Sequence, residues 1–261
     1  MAALKIGVFA DNLGLPVRQG IEKAAELGAR CFQVYTTRGE LLPDNLTREG
    51  RREFKRFYQG LGLELSALCS DFFTGFVEAD RNPERIAMTK PQIDLAADLE
   101  VGIITTHIGV IPEDESDPVW NTVTRALEEI GRYAESRGVV FATETGPEPG
   151  PVLARLIERL QTEAVRVNFD PANLIIYGFD LWEAVDALGR YVVHTHAKDA
   201  LRGPGGGRGK EVPVGEGEVD WPRYVAALRS AGYDGAYVIE REGGADRIGD
   251  VRRAIEVLRQ L

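Results

Sequence analysis

The sequence predicts a single α/β domain over residues 1–261, folded as a (β/α)8 TIM barrel. Apolar runs of strand length alternate with amphipathic helical stretches along the chain, and there are eight such runs. Dividing 261 residues by eight gives about 33 per unit, which is the size of one strand with its helix. No linker rich in Pro or Ser interrupts this alternation.

The strand candidates are apolar over most of their length instead of alternating between apolar and polar residues. This pattern is typical of parallel strands that helices cover or that close on themselves. The eight candidates begin at Leu4, Cys31, Leu63, Val101, Val139, Val165, Val192 and Ala236.

The stretches between the strands have the helical spacing of apolar residues at intervals of three and four. Examples are RQGIEKAAELG, RREFKRFYQG, RALEEIGRYAESRG and the closing VRRAIEVLRQL. An open, doubly wound sheet is the alternative architecture. Its first strand-helix turn would carry a glycine-rich phosphate fingerprint, which ADNLGLP lacks. The closed barrel is therefore favoured.

Composition excludes several classes of protein. The chain has 31 Lys and Arg against 41 Asp and Glu, a net charge of −10, whereas nucleic-acid binders normally carry a basic excess. No apolar stretch approaches the roughly 18 residues of a membrane span, and no signal sequence is recognisable. Cys31 and Cys69, each within an apolar run, are expected to be buried thiols. We therefore expect a cytoplasmic protein that binds neither nucleic acid nor membrane.

Four chemically active residues lie at the carboxyl ends of the last four predicted strands, where barrel enzymes hold their active sites. They are Glu144, Asp170, His196 and Glu240. Converging buried carboxylates require a cation. Three carboxylates and one imidazole suit one divalent metal ion, with Mn²⁺ preferred and Mg²⁺, Co²⁺ or Zn²⁺ as alternatives. Singly, each has an ordinary explanation; an Asp before Pro, for example, often caps a helix.

The motifs ETG, NFDPAN, HTHAKD, VGEGEVDW and VIERE resemble, in this order and spacing, those of the xylose-isomerase-like TIM-barrel superfamily. That group includes sugar phosphate isomerases and epimerases, ketose 3-epimerases, inosose-processing enzymes and endonuclease-IV-like proteins. The resemblance implies a divalent metal at Glu144, Asp170, His196 and Glu240. In the ketose epimerases the two matching glutamates also transfer protons, which implies catalytic roles for Glu144 and Glu240.

The implied reaction is proton abstraction next to a carbonyl through a metal-stabilised enediolate. Glu144 and Glu240, three strands apart around the ring, can approach a substrate from opposite sides. If one removes the proton and the other returns it, the carbon is epimerised. Transfer by one group on a single face would instead interconvert an aldose and a ketose.

Further polar residues near the strand ends are candidates for contacts with a sugar or keto-cyclitol substrate. The glycine-rich segment at about residues 200–218 is expected to form a mobile lid. Phe72, Phe73 and Trp120 are candidates for an apolar wall, although core packing is their ordinary role. The candidate substrate-binding residues are His107, Asn173, His194, Lys198, Arg202 and Glu216.

Two departures from the epimerase pattern leave the reaction open. Asn173 stands where ketose 3-epimerases usually have His, and HTHAKD is closer to inosose dehydratases, so a keto-sugar or inosose dehydratase is the alternative. An endonuclease-IV-like DNA repair role is disfavoured, because its trinuclear zinc site needs more than three histidines. Substrate identity, phosphorylation and a homo-oligomeric state stay open.

Overall fold

The computed structural model describes residues 3–261, and eight of its strands form a closed parallel barrel, as predicted. In chain order the strands are β1 Lys5–Phe9, β2 Cys31–Tyr35, β3 Glu64–Cys69, β4 Ile103–Thr106, β5 Val140–Glu144, β6 Val165–Phe169, β7 Val192–Ala197, β8 Asp199–Leu201, β9 Lys210–Val212 and β10 Ala236–Ile239. The short strands β8 and β9 pair as a separate antiparallel hairpin. β10 pairs with both β7 and β1 and thereby closes the ring.

Helices follow the barrel strands, so each unit crosses back over the outside of the barrel. Two helices instead of one connect β6 to β7, and the β8–β9 hairpin precedes the helix that leads to β10. In chain order the helices are α1 Val17–Glu26, α2 Arg48–Gly60, α3 Asn82–Asp98, α4 Pro118–Arg137, α5 Gly150–Arg159, α6 Pro171–Tyr177, α7 Leu181–Leu188, α8 Trp221–Ser230 and α9 Arg247–Leu258. None of these helices is long and apolar enough to span a membrane.

Helix α2 illustrates how the sequence pattern becomes packing. Thr47 caps its start by accepting a hydrogen bond from the backbone N–H of Gly50. Phe54 and Tyr58, four residues apart on one face, are buried against Phe32 of β2, with ring centroids 6.5 and 5.3 Å away. Burying a side chain of this size contributes about 1.5–3 kcal/mol, which holds the helix on the barrel.

The inward faces of the strands contain both apolar and polar side chains. The imidazole Nε2 of His196 lies 3.0 Å from Oε1 of Gln33, although β7 and β2 are not neighbouring strands. Both side chains must therefore point into the barrel. Cys31 and Tyr35 lie two residues before and after Gln33 in the same strand, so their side chains point to the same face, where they belong to a small apolar cluster. Cys31 and Cys69 are buried free thiols.

The VGEGEVDW motif is organised by one buried carboxylate. Asp199 accepts hydrogen bonds from the backbone N–H groups of Ala200, Gly215 and Val219 and from the indole N–H of Trp221. Since an unpaired buried carboxylate would be costly, these four donors fix the path of the chain from the hairpin into α8. The motif therefore has a structural role next to the barrel mouth.

Candidate active site

The four predicted metal ligands come together at the carboxyl ends of their strands. Glu144 ends β5, Asp170 follows β6, His196 lies near the end of β7 and Glu240 follows β10. All four side chains are buried. One ligand atom from each residue lies within 4.8 Å of the others, so the cluster could hold a metal ion.

The imidazole Nδ1 of His196 is the centre of this cluster. It lies 3.4 Å from Glu144 Oε1, 3.5 Å from Asp170 Oδ2 and 3.3 Å from Glu240 Oε2. His196 Nδ1 and Asp170 Oδ2 are buried, and neither makes a hydrogen bond of acceptable geometry. Unsatisfied buried polar atoms of this kind are costly, and a bound cation would satisfy both. The donor set therefore fits a divalent ion.

The charges of the cluster also require a positive partner. Burial disfavours the charged imidazole of His196, but Glu240 and Glu144 outweigh it and raise the pKa of His196 well above its usual range. Burial likewise opposes the Glu240 carboxylate, yet Lys198 and His196 hold the pKa of Glu240 well below its usual range. A divalent cation could replace the proton on His196, because metal binding to imidazole releases that proton.

Asp170 is placed both to cap a helix and to contribute an oxygen to the candidate metal site, the two roles that the sequence left open. Its Oδ1 caps α6 by accepting hydrogen bonds from the backbone N–H groups of Ala172 (2.8 Å) and Asn173 (3.0 Å). Its Oδ2 is left facing His196. The cap fixes the carboxylate plane, so the second oxygen points into the cluster.

Buried side chains on the side of the cluster away from the cavity form hydrogen bonds that connect to the candidate ligands. Asn168 donates from Nδ2 to Glu144 Oε2 at 3.0 Å, and its Oδ1 accepts from His194 Nδ1 at 2.8 Å. Burial lowers the pKa of His194 well below its usual range, so this imidazole is neutral. His194 thus lies behind the cluster and is not among the residues that line the cavity, so its contact with a substrate stays a prediction.

A cavity of about 200 Å³ opens above the cluster at the carboxyl ends of the strands. Among the predicted substrate-binding residues, His107, Asn173 and Lys198 line it. Its full lining is Phe9, Tyr35, Cys69, Asp71, Phe73, His107, Glu144, Gly146, Pro147, Asn173, Ile176, Tyr177, Lys198, Arg208, Glu240 and Glu242.

His107 is paired with a carboxylate that the sequence pattern did not single out. Its Nδ1 donates to Asp71 Oδ2 at 2.6 Å, and its Nε2 lies 3.6 Å from Glu144 Oε1. Burial opposes the charge on the ring, but Glu144 and Asp71 outweigh it and raise the pKa of His107 to about 10. The cavity therefore contains a charged imidazole beside one candidate base.

Two further residues hold the candidate glutamates in place. Lys198 Nζ lies 2.9 Å from Glu240 Oε2 and 2.6 Å from Glu242 Oε2. Asn173 donates from Nδ2 to Glu144 Oε1 at 3.1 Å. The ammonium of Lys198 thus lines the cavity and is also ion-paired with Glu240 and Glu242.

Arg202 and Glu216 are not brought to the cavity. The Arg202 guanidinium donates to the carbonyl of Phe179 at 2.8 Å and pairs with Glu218 at 3.3 Å, while Glu216 is exposed. Arg208 of the same glycine-rich segment lines the cavity instead, with its guanidinium carbon 4.9 Å from the ring centroid of Tyr177. The expectation that this segment opens and closes stays a prediction.

Several site residues were missed, and most of them had a signal in the sequence. Asp71 follows the third strand almost as directly as Asp170 follows the sixth. Gln33 and Asn168 are polar residues with apolar neighbours on both sides in their strands, which indicates buried side chains with hydrogen-bond partners. Tyr177, at the end of α6, had no comparable signal.

Fold and site together define a (β/α)8 barrel protein with a candidate divalent-metal centre at the end where barrel enzymes hold their chemistry. The chain belongs to the xylose isomerase-like TIM barrel family, whose model matches residues 21–261.

Three comparisons with solved structures agree with this assignment. A xylose isomerase domain protein from Planctomyces limnophilus is 30% identical, with 98% of this chain and 96% of that chain covered and a TM-score of 0.87. D-psicose 3-epimerase from Clostridium cellulolyticum H10, solved with D-tagatose, is 17% identical, with 98% and 99% covered and a TM-score of 0.79. The probable 3-DHS dehydratase AsbF from Bacillus anthracis is 16% identical, with 98% of both chains covered and a TM-score of 0.78. At 17% and 16% identity, the last two comparisons show a shared fold alone.

One curated relative, the uncharacterized protein MJ1311 of Methanocaldococcus jannaschii, is 25% identical over 180 residues. The aligned segment spans 64% of this chain and 59% of the relative's length.

Proposed function

We propose that the protein is a divalent-metal-dependent sugar isomerase or epimerase that uses Mn²⁺ and removes a proton next to a carbonyl. The convergence of Glu144, Asp170, His196 and Glu240 within 4.8 Å, beneath a cavity that both glutamates line, carries this proposal. The D-psicose 3-epimerase from Clostridium cellulolyticum, which has the same fold, supports it. The substrate class is a small sugar or keto-cyclitol.

The four residues would hold the ion, which when bound acts as a Lewis acid that stabilises negative charge on the substrate oxygens. The chain itself orients the bases. Asn168 and Asn173 each donate to a different oxygen of Glu144, so the plane of that carboxylate is fixed. Lys198 holds Glu240 on the other side of the cavity floor. Such fixed groups need little rearrangement during proton transfer.

Glu144 and Glu240 are the proposed acid and base. They lie at the carboxyl ends of strands β5 and β10, between which β6 and β7 lie in the ring, so they reach a substrate from different directions. Removal of the proton by one and its return by the other would invert the carbon next to the carbonyl. This two-base arrangement favours epimerisation over transfer along one face.

A dehydratase is the second candidate, and His107 is the observation that favours it. Its imidazolium, held by Asp71, lines the cavity 3.6 Å from Glu144. An acid in that position could protonate a hydroxyl group on the carbon next to the enediolate, so that the hydroxyl leaves as water. AsbF, a probable dehydratase, has the same fold.

A screen of keto-sugars and keto-cyclitols in D₂O, with the Mn²⁺-loaded protein and proton NMR, tests the proposal. We expect deuterium at the carbon next to the carbonyl, since both reactions share this first step. Signals of the epimer, with the carbon skeleton and all hydroxyl groups retained, would identify the epimerase, and signals of a dehydrated product would identify the dehydratase. If protein with one bound Mn²⁺ exchanges no proton in any of these compounds, the proposal is wrong.

A further inference from the structure

A second cavity, of about 320 Å³, adjoins the cavity above the four candidate metal ligands. The two share six lining residues, among them Asp71, His107 and Glu144, so they form one continuous space. The first cavity alone, at about 200 Å³, is smaller than the roughly 300–1,000 Å³ of ordinary ligand pockets. The space next to the candidate bases therefore extends beyond what the reacting carbons occupy.

The wall of the second cavity carries most of the exposed large hydrophobic side chains in residues 3–261. There are four such side chains: Phe73 (67% exposed), Val110 (58%), Met88 (41%) and Tyr177 (39%). Three of them line this cavity, and Met88 lies elsewhere on α3. An exposed apolar patch at a cavity mouth indicates a binding surface, because such patches are otherwise kept small.

Phe73, which contributes its ring to this wall, has a backbone conformation that residues with a side chain disfavour. Its φ is +58°, a left-handed conformation that costs a residue with a side chain of the order of 1–2 kcal/mol. The backbone N–H of Phe73 donates to Asp71 Oδ1 at 2.6 Å, while the other oxygen of Asp71 binds His107. The same carboxylate thus positions the exposed ring and the imidazole of the reaction cavity. Strain of this kind is concentrated at functional sites.

The loops after β3 and β4, which form this cavity, pack closely against each other. A Cβ on Gly75 would lie 2.8 Å from the backbone N and Cα of Gly109, so the loops after β3 and β4 pack backbone to backbone. Glu148 also lines the cavity; it is only 3% exposed, and its Oε2 has no hydrogen-bond partner. A formed cavity with apolar walls and a few polar lining residues is typical of a small-molecule site.

We propose that this second cavity is a subsite for a ring carried by the sugar, so that the substrate is a keto-sugar extended by a glycosyl or aryl group. The inference rests on the proposed function and names its substrate class. Aromatic side chains bind the apolar face of such a ring, and Phe73 and Tyr177 present such side chains to this cavity. Continuity with the reaction cavity favours a part of the substrate as the occupant over a protein partner.

Binding to the Mn²⁺-loaded protein, measured by isothermal titration calorimetry, tests the subsite without requiring turnover. The probes are D-fructose, its 6-O-glucosyl derivative isomaltulose and 6-O-benzyl-D-fructose. We expect at least one extended ketose to bind about tenfold more tightly than D-fructose. A preference for isomaltulose would identify a sugar ring, and a preference for the benzyl ether an aryl group.

Two variants of Phe73 test whether this wall causes the tighter binding of the extended ketoses. Phe73→Ala and Phe73→Gly both remove the ring, and glycine adopts φ +58° without strain, so the second variant protects the fold. Both should abolish the tenfold advantage. Met88→Ala, which removes another exposed apolar side chain away from the cavity, should retain it.

The subsite is overturned if all three ketoses bind equally, if none binds, or if the advantage survives in Phe73→Gly. If D-fructose binds but the extended ketoses have no advantage, deuterium exchange into D-fructose would still support the proposed function. Conversely, tighter binding of the extended ketoses without exchange in any sugar would retain the subsite and reject the proposed reaction.

Discussion

Gln33 and Asn168 each bind the side of a candidate ligand that faces away from the cluster. Gln33 accepts from His196 Nε2, which leaves Nδ1 directed at the carboxylates, and Asn168 fixes Glu144. Partners of this kind set the tautomer and orientation of a metal ligand. At the scale of single residues, the positions of two candidate metal ligands therefore depend on these two buried amides.

Gln33→Ala and Asn168→Ala are expected to weaken Mn²⁺ binding by about 10- to 100-fold, because the ligands lose their orientation. Electron paramagnetic resonance titration of free Mn²⁺ measures the affinity. Gln92→Ala is the matched control, since Gln92 is an equally buried amide that donates to Thr36 and contacts none of the ligands. Unchanged affinity in the first two variants would show that the amides do not orient the ligands.

Glu148 should make stability depend on pH. Burial raises the pKa of Glu148 from its ordinary 4.5 to about 8 in the folded protein. The folded state therefore holds this proton more tightly than the unfolded state, so the resulting stabilisation is complete below about pH 4.5 and lost as pH rises through about 8.

Between pH 5 and 9, the unfolding free energy of the metal-free protein should fall by roughly 4 kcal/mol more than that of Glu148→Gln, which cannot ionise. Urea unfolding at a series of pH values measures this difference. Glu113→Gln, at an exposed position, should follow the wild type. Parallel pH profiles for wild type and Glu148→Gln would contradict the assignment.

At the scale of elements, the barrel ladder shifts register at two points within residues 3–261. One lies between Phe32 and Gln33, the other between Val167 and Asn168. Such irregularities re-aim side chains, and here they coincide with the two supporting amides. Strand-end positions could be read from the sequence, so all four candidate ligands were found. The sequence shows Gln33 and Asn168 as polar residues within strands, but it does not encode the strand pairing that brings them to His196 and Glu144, so their supporting role was missed.

The eight predicted strands begin within two residues of the observed ones, because apolar runs bounded by glycines define them well. Within the glycine-rich segment at about residues 200–218, the β8–β9 hairpin was not predicted. Its pairing depends on the backbone and on the buried Asp199 carboxylate, not on an alternating apolar pattern. Hence Arg208 reaches the cavity, and Arg202, the residue chosen from the sequence, does not.

Gly217→Ala tests how the VGEGEVDW motif is held. A Cβ at Gly217 would lie 2.0 Å from Asp199 Oδ1, so the carboxylate or the loop must move. We expect a loss of about 2 kcal/mol or more in unfolding free energy, measured in urea. Gly207→Ala is the control, because its Cβ would meet nothing closer than 3.4 Å. Equal stability of the two variants would contradict this account of the motif.

At the scale of the whole molecule, three of the acidic residues behind the net charge of −10 converge in one buried cluster. A ligand that binds only the folded state stabilises it, by about 2.7 kcal/mol at 100 times its dissociation constant. Mn²⁺ should therefore raise the Tm by about 5 °C, and EDTA should reverse the shift. His196→Ala should lose this response. A Tm that Mn²⁺ does not change would argue against a metal centre.

Deuterium exchange by the Glu144→Gln and Glu240→Gln variants tests the central claim most directly. The substrate is a keto-sugar that the wild-type protein exchanges, and Mn²⁺ is kept saturating, with bound metal measured in the same samples. Each glutamine keeps an amide oxygen as a ligand but cannot accept the proton, so we predict that both variants lose epimerisation and that exchange at the carbon next to the carbonyl is nearly abolished in the variant that lacks the base on the side of that proton. Retained exchange in both metal-loaded variants would contradict the assignment of the two glutamates as the proton-transferring groups.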